Sequence, residues 1–136
     1  MNRLGIVDTG PLVALFLERD QYHAWAVAAL SGIPVPYITC EAVLSEAAFL
    51  LRDHGNTSAL VEFVRRGLVE IPFRLQVEIV RVQELMKQYS DVPMSLADAC
   101  LVRLAEQHQD SVIVTADRDF RIYRKHGRQA IPVLMP

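Results

Sequence analysis

Residues that define disulfide-rich and zinc-binding proteins are scarce in this chain of 136 residues. It contains two cysteines, Cys40 and Cys100, which stand in apolar helical patterns without a partner at metal-ligand spacing. A disulfide scaffold or a zinc site is therefore excluded, and we expect both cysteines to be reduced core residues. The four histidines also lack ligand-like spacing and are interpreted as structural or surface residues: His23, His54, His108 and His126.

Long apolar runs and an excess of one charge are also missing. No apolar run approaches the ~18 residues of a membrane span. The first apolar segment contains Arg3 and is interrupted by Asp8, unlike a secretion signal, so we expect a soluble, cytoplasmic protein with no membrane partner. With 14 basic against 16 acidic residues, no overall basic field predicts nucleic-acid binding. Local arginines such as Arg118 and Arg121 could bind phosphate, although a solvated helix face explains them as well.

What the chain does contain is an alternation of strand-like apolar runs and helical patterns. The runs 4–7 and 112–114 are apolar on both faces of the pleat, which is typical of strands in a parallel sheet covered by helices. We therefore predict one α/β domain over residues 1–136, a three-layer α/β/α sandwich with a mostly parallel central sheet. The predicted strands are 4–7, 35–38, 68–71, 112–114 and 131–134. The predicted helices are 11–18, 21–30, 40–53, 56–66, 75–88, 95–107 and 119–125.

Capping residues and glycines set the expected helix boundaries. Pro11 suits the first position of its helix, where a missing N–H costs nothing. Gly32 can end the second helix in the left-handed conformation, and Gly55 ends the third. Thr39 and Ser95 are expected to be the N-caps of the helices that follow them.

Acidic residues follow two of the predicted strands. Asp8 comes directly after the first strand, and Asp117 and Asp119 come after the strand at 112–114. In open parallel sheets, ligands bind outside the carboxyl ends of the strands. Ordinary helix or turn capping explains Asp8 and Asp119 individually, but two acid-ending strands together predict one acidic site.

Two further candidate acids for this site lie in predicted helices, and Glu46 is the first of them. Its neighbours on the helical wheel include Ala42, Val43, Phe49 and Leu50, so its carboxylate is predicted to point along an apolar face. Glutamate is seldom buried unless it is paired or bound to a metal.

Asp98 shares its helix face with Leu101, Val102 and Ala105. Its spacing from Ser95 is also that of a capping box, in which the carboxylate holds the N–H of the cap residue. A first-turn aspartate can equally face a site beyond the helix end, so both interpretations stay open.

A cluster of such acids needs a cation. Two carboxylates ~5 Å apart repel by about 3 kcal/mol at an effective dielectric constant near 20, and their pKa values rise until some are protonated. Oxygen ligands without a set of His or Cys select Mg²⁺ or Mn²⁺ over zinc. A water on such an ion can attack a phosphodiester in line, so the pattern predicts metal-assisted hydrolysis of nucleic acid.

Four motifs together resemble the PIN-domain nucleases, and their order and spacing look most like the VapC-type toxins of toxin–antitoxin pairs. These motifs are Asp8-Thr9-Gly10, Glu46 in the third helix, Leu96-Ala97-Asp98-Ala99, and Thr115-Ala116-Asp117-Arg118-Asp119-Phe120. The similarity covers essentially the whole chain. The last motif is the most specific, whereas Asp-Thr-Gly alone is weak.

The resemblance implies a magnesium-dependent endoribonuclease, with Mn²⁺ as a substitute ion. It implies structured RNA such as tRNA or rRNA as the substrate, a cognate antitoxin as the inhibitor, and a homodimer. The implied catalytic and metal-binding carboxylates are Asp8, Glu46, Asp98 and Asp117. The implied auxiliary residues are Asp119, Thr9 and Thr115.

Other protein classes fit less of the sequence. An RNA-processing PIN nuclease without an antitoxin remains open. A dimeric aspartic protease would use Asp-Thr-Gly, but its nearly all-β fold conflicts with the helical patterns. A receiver-like phosphoryl acceptor needs a lysine after a late strand, and neither Lys87 nor Lys125 follows one. A binding module that has lost activity is disfavoured by the complete acid set.

Overall fold

A computed structural model describes residues 3–136. Its strands are β1 Leu4–Val7, β2 Tyr37–Ile38, β3 Val69–Glu70, β4 Ser111–Val114, β5 Arg124–Lys125, β6 Gln129–Ala130 and β7 Val133–Leu134. Its α-helices are α1 Thr9–Leu15, α2 His23–Ser31, α3 Glu41–Leu51, α4 Thr57–Arg65, α5 Leu75–Gln88 and α6 Leu96–Gln107. Short 3-10 turns occupy Arg52–His54 and Arg118–Arg121.

The two most apolar strands lie at the centre of a parallel sheet. The strand order is β3-β2-β1-β4-β7, and each neighbouring pair is parallel. Ile6 of β1 stands opposite Ile38 on one side and Ile113 on the other, and all three are buried. Helices must therefore cover both faces of these strands, and the predicted α/β fold with a mostly parallel sheet is confirmed.

The first helix begins two residues earlier than predicted. Asp8 is its N-cap and accepts a hydrogen bond from the Thr9 N–H at 2.8 Å. Pro11 is consequently the third helical residue rather than the first, still within the turn whose N–H groups need no intrahelical partner. The helix ends at Leu15, short of the predicted 18.

Two further boundary predictions are wrong. Gly32 ends α2 with φ −85°, in the right-handed region, whereas Gly55, for which no conformation was predicted, is left-handed with φ 71°. Cys40, not Thr39, is the N-cap of α3. The Thr39 hydroxyl instead donates to the Val7 carbonyl at 2.7 Å, which ties the entry of α3 to the end of β1.

The predicted helix at 119–125 is wrong in its second half. The 3-10 turn ends at Arg121, and an antiparallel β5–β6 hairpin follows it. His126 and Gly127 turn the hairpin with φ values of 52° and 80°. The hairpin competes successfully with helix because Tyr123 is fully buried and the His126 N–H has a carboxylate partner on α6.

That partner is Glu106, a buried carboxylate surrounded by positive charge. Its oxygens accept hydrogen bonds from Arg81 at 2.7 and 3.0 Å, from Arg103 at 3.3 Å, and from the His126 N–H at 2.7 Å. Burial opposes the charged form, but these donors outweigh it and keep the pKa of Glu106 below its ordinary value. The network joins α5, α6 and the β5–β6 hairpin.

Both cysteines are free and buried, which confirms their predicted position in the core. Across residues 3–136, no helix combines the length and apolar character that crossing a bilayer requires.

Candidate functional site

A pocket at the carboxyl ends of β1 and β4 collects acidic side chains from four segments of the chain. None of the described residues that line it is Lys, Arg or His. The first acid follows β1, the second lies on α3, the third opens α6, and two more follow β4. These lining acids are Asp8, Glu46, Asp98, Asp117 and Asp119. The pocket therefore brings together every acid that the sequence singled out.

Asp8 is the most buried of these acids, with 8% of its surface exposed. One carboxylate oxygen accepts from the Thr9 N–H, and the other accepts from the Thr115 hydroxyl at 2.7 Å. Burial, together with the charges of Asp98 and Asp117, raises the pKa of Asp8 to about 6 in spite of these two donors. The surroundings of Asp8 therefore disfavour the ionised form of its carboxyl group.

The Thr115 hydroxyl connects the ends of the two central strands. It donates to Asp8 and accepts from the Asp117 N–H at 2.9 Å. Asp117 in turn caps the following 3-10 turn by accepting from the Asp119 N–H at 2.9 Å. Capping therefore falls to Asp117, whereas the sequence offered Asp119 for that role.

Asp98 contributes its backbone to the cap of α6 and its carboxylate to the pocket. Its N–H donates to the Ser95 hydroxyl at 3.0 Å, so Ser95 is the predicted N-cap of α6. Its carboxylate reaches the pocket and accepts from the Tyr123 hydroxyl at 2.8 Å. Burial, followed by the charge of Asp117, raises the pKa of Asp98 above its ordinary value despite that hydrogen bond.

Glu46 lines the pocket, but its predicted burial is wrong. Its side chain is exposed, and its carboxylate accepts a long hydrogen bond of 3.4 Å from the Thr9 hydroxyl. Its wheel neighbours Phe49 and Leu50 are 59% and 46% exposed, whereas its neighbour Val43 belongs to the buried stripe of α3. Glu46 therefore lies on an apolar face that is open to solvent.

Tyr123 is the site residue that sequence reasoning missed. It lies 25 positions from Asp98, and nothing in its local pattern distinguishes it from a core aromatic. The only available signal was its spacing of three from Phe120, and that signal predicts packing. Arg118 and Arg121 are exposed on the 3-10 turn beside the pocket and do not line it, so their role in RNA binding stays a prediction.

The donor set fits a hard divalent cation. Within residues 3–136, no three His, Cys, Asp or Glu side chains already form a ready-made metal cluster. Mg²⁺ keeps several of its waters and takes one or two protein carboxylates, so acids spaced around one pocket still suit it. The absence of a cationic side chain among the lining residues and the raised pKa of Asp8 agree with this chemistry.

Comparison with known proteins defines the family. Residues 5–125 match the model of the PIN domain, so the chain belongs to the PIN-domain family. All five lining acids fall inside the matched range. The resemblance drawn from the sequence is thereby confirmed, and the aspartic protease and receiver-like alternatives are excluded.

Particular relatives lie among the VapC proteins of Mycobacterium tuberculosis. The chain is 25% identical to Ribonuclease VapC26 over 116 residues, covering 83% of this chain and 86% of the relative. Its fold matches the crystal structure of VapC20, described as a Sarcin-Ricin loop cleaving toxin. That match has a TM-score of 0.67 and 20% sequence identity, and it covers 80% of this chain and 86% of VapC20. The shared fold extends over most of both proteins.

Proposed function

We propose that this protein is a divalent-metal-dependent endoribonuclease that acts in the cytoplasm as the toxin of a toxin–antitoxin pair. The observation that carries the proposal is the pocket of five acids without a lining cation, at the carboxyl ends of β1 and β4 in a PIN-domain protein. A ribonuclease and an RNA-loop-cleaving toxin among the similar proteins support RNA as the substrate.

Four acids would hold the ion, Mg²⁺ or in its place Mn²⁺: Asp8, Glu46, Asp98 and Asp117. When bound, such an ion supplies a water of lowered pKa and offsets negative charge on the phosphate during hydrolysis. Each carboxylate oxygen has two lone pairs, so the hydrogen bonds to Asp8 leave it able to bind a cation. Asp119 is the proposed auxiliary acid.

Two threonines orient the first of these acids and its surroundings. The Thr115 hydroxyl fixes one oxygen of Asp8 and at the same time holds the Asp117 backbone. The Thr9 N–H fixes the second oxygen of Asp8, and the Thr9 hydroxyl donates to the Glu46 carboxylate. Preorganised ligands of this kind do not need to be reordered when the ion binds.

The proposed substrate is a structured RNA of the tRNA or rRNA class. The acidic pocket repels the phosphate backbone of RNA. The bound ion and nearby basic side chains must therefore provide the attraction. Arg118 and Arg121 are exposed on the turn that begins at Asp117, within the same part of the molecule. Arginine suits phosphate oxygens, and contacts of this kind position RNA without reading its sequence.

Exposed apolar side chains support the two proposed protein partners. Phe49 and Leu50 of α3 lie next to Glu46, and Leu50 lines the pocket, so an antitoxin that covers this face would block access to the acids. Val77 and Val80 of α5 are 64% and 68% exposed and support a homodimer. Exposed apolar patches commonly mark protein interfaces.

RNA cleavage with controlled metal tests the nuclease proposal. We expect the purified protein to cut a structured RNA in Mg²⁺ or Mn²⁺, to stop in EDTA, and to recover when the ion is restored. Asp98→Asn should be inactive, whereas Asp53→Asn, an exposed acid outside the pocket, should cut like wild type. Cleavage that continues in EDTA would contradict the metal-dependent mechanism.

The antitoxin proposal needs its own experiment. If the gene next to this one encodes a small protein, we expect that protein to co-purify with this chain and to inhibit cleavage. Phe49→Asp should weaken the complex between this chain and the antitoxin, while RNA cleavage continues. A neighbour that neither binds nor inhibits would favour the alternative, an RNA-processing PIN nuclease without an antitoxin.

A further inference from the structure

Tyr123 is a fully buried residue whose hydroxyl contacts the acidic pocket. The residue itself does not line the pocket, yet its O–H donates to Asp98 Oδ2 at 2.8 Å. An O–H is the donor of this pair and the Asp98 carboxylate is the acceptor, so the hydroxyl fixes the position of Oδ2.

Two aromatic rings hold Tyr123 in place. Its ring meets Phe120 edge to face at a centroid distance of 5.2 Å and meets Tyr89 in the same manner at 5.1 Å. Packing of this kind leaves the Tyr123 hydroxyl little freedom to move.

The same packing links Asp98 to the acids that follow β4. Phe120 lies in the 3-10 turn that Asp117 caps, so the ring that supports Tyr123 belongs to the segment carrying Asp117 and Asp119. Asp98 comes from a different element, the first turn of α6. Tyr123 therefore connects these two parts of the pocket. Its hydroxyl binds Asp98, its ring packs on Phe120, and its N–H donates to the Asp119 carbonyl at 3.1 Å.

The hydrogen bond to Tyr123 gives the Asp98 carboxylate a role other than helix capping. The Asp98 N–H donates to the Ser95 hydroxyl, and the spacing is that of a capping box, in which the carboxylate would turn back to the Ser95 N–H. The Tyr123 hydroxyl instead binds Oδ2 of a carboxylate that lines the pocket.

We propose that Tyr123 is a positioning residue, whose hydroxyl fixes the Asp98 carboxylate for a divalent cation and aligns it with the acids after β4. The inference rests on the proposed function, since it assumes that the pocket binds the ion. Partners that hydrogen-bond to a metal ligand commonly contribute about 10- to 100-fold to metal affinity.

Mn²⁺ binding, measured by calorimetry or electron paramagnetic resonance, tests the inference. Tyr123→Phe removes the hydroxyl and keeps the ring, and we expect its Mn²⁺ affinity to fall about tenfold or more. The Mg²⁺ concentration for half-maximal RNA cleavage should rise by a similar factor, while kcat at saturating Mg²⁺ stays near that of wild type. Tyr89→Phe is the matched control: it alters a second hydroxyl of the same aromatic cluster that touches no acid, and we expect unchanged affinity.

A double-mutant comparison assigns the effect to the Tyr123–Asp98 pair. In an Asp98→Asn background, adding Tyr123→Phe should cause no further loss of Mn²⁺ affinity. Wild-type affinity in a folded Tyr123→Phe variant would overturn the inference, as would an equal loss in Tyr89→Phe. A wild-type protein that takes up no Mn²⁺ would overturn the proposed function itself, and this inference with it.

Discussion

Two buried carboxylates, Asp8 and Glu106, have opposite surroundings in the same protein. They are 8% and 6% exposed, so burial alone does not separate them. Two arginines surround Glu106, and its pKa is lowered. Asp8 has neutral donors and like charges around it, and its pKa is raised to about 6.

The contrast separates an acid that stabilises the fold from one that is kept for a ligand. A structural carboxylate is buried together with its counter-charge, because an unpaired buried charge destabilises the native state. Asp8 is buried without one, and the described lining of its pocket offers none. A bound cation would supply the positive counter-charge that Asp8 lacks.

The largest expected effect is on catalysis at Asp8. Asp8→Asn keeps the size of the side chain and removes a proposed metal ligand. We expect kcat/KM for RNA cleavage to fall on the order of a thousandfold, about 4 kcal/mol of transition-state stabilisation. Glu106→Gln, assayed at a temperature where it is folded, should retain most of the wild-type activity. Equal losses in both variants would remove the functional distinction between the two acids.

The next effect is on stability at Glu106. Glu106→Gln leaves Arg81 and Arg103 without their buried partner, and we expect the free energy of unfolding to fall by about 3 kcal/mol. Urea denaturation at pH 7 measures this change. Glu62→Gln is the control, because Glu62 also pairs with two arginines, Arg65 and Arg66, but on the surface, where we expect almost no change. A similar loss at Glu62 would show that pairing matters here and burial does not.

The pH dependence of stability should distinguish the two acids by sign. Because the folded pKa of Asp8 is about 6 and its ordinary value is 3.8, its contribution destabilises the protein increasingly as pH rises from about 4 to 6. At pH 7 without divalent ions, we expect the free energy of unfolding of Asp8→Asn to exceed that of wild type by up to about 3 kcal/mol. This advantage should vanish below pH 4, and a pH-independent difference would contradict the assignment.

Glu106 should show the reverse dependence. Its folded pKa lies below the ordinary value of 4.5, so the stability that it contributes is present above that pH. This stability is lost as the pH falls through the lowered folded pKa. Comparing acid denaturation of wild type with that of Glu106→Gln measures the loss.

The smallest effect is expected outside both buried sites. Arg118→Ala should weaken RNA binding modestly and reduce the slope of log affinity against log salt by about one. Arg66→Ala, an exposed arginine paired with Glu62, is the control. Identical slopes for the Arg118 variant and wild type, measured in EDTA to prevent turnover, would remove Arg118 from the RNA-binding surface.

Patterning predicted the sheet because its central strands are apolar on both faces. The helices were predicted with boundary errors. At α3 the expected cap, Thr39, donates to the Val7 carbonyl of β1, a tertiary contact, and Cys40 takes the N-cap position. The β5–β6 hairpin was missed for the same reason. Its stability depends on Glu106, which lies 20 residues from His126 in sequence.

The acids of the pocket were predicted because each lies in a position that is unusual for a charged side chain, either at the end of a buried strand or beside apolar helix positions. Their surroundings could not be predicted in the same way. The Glu46 face is exposed at the pocket rim although its sequence pattern resembles a buried one. Tyr123 required the structure, since only a long-range contact distinguishes it from an ordinary core aromatic.

The hydrogen bond between the Thr115 hydroxyl and Asp8 joins residues 107 positions apart. A chain still emerging from the ribosome lacks this bond until most of its length has been synthesised. Proteolytic removal of the C-terminal fifth would likewise leave Asp8 without its side-chain donor. Assembly of the pocket is therefore a late event in biosynthesis, and incomplete chains that carry Asp8 and Glu46 lack the two acids that follow β4.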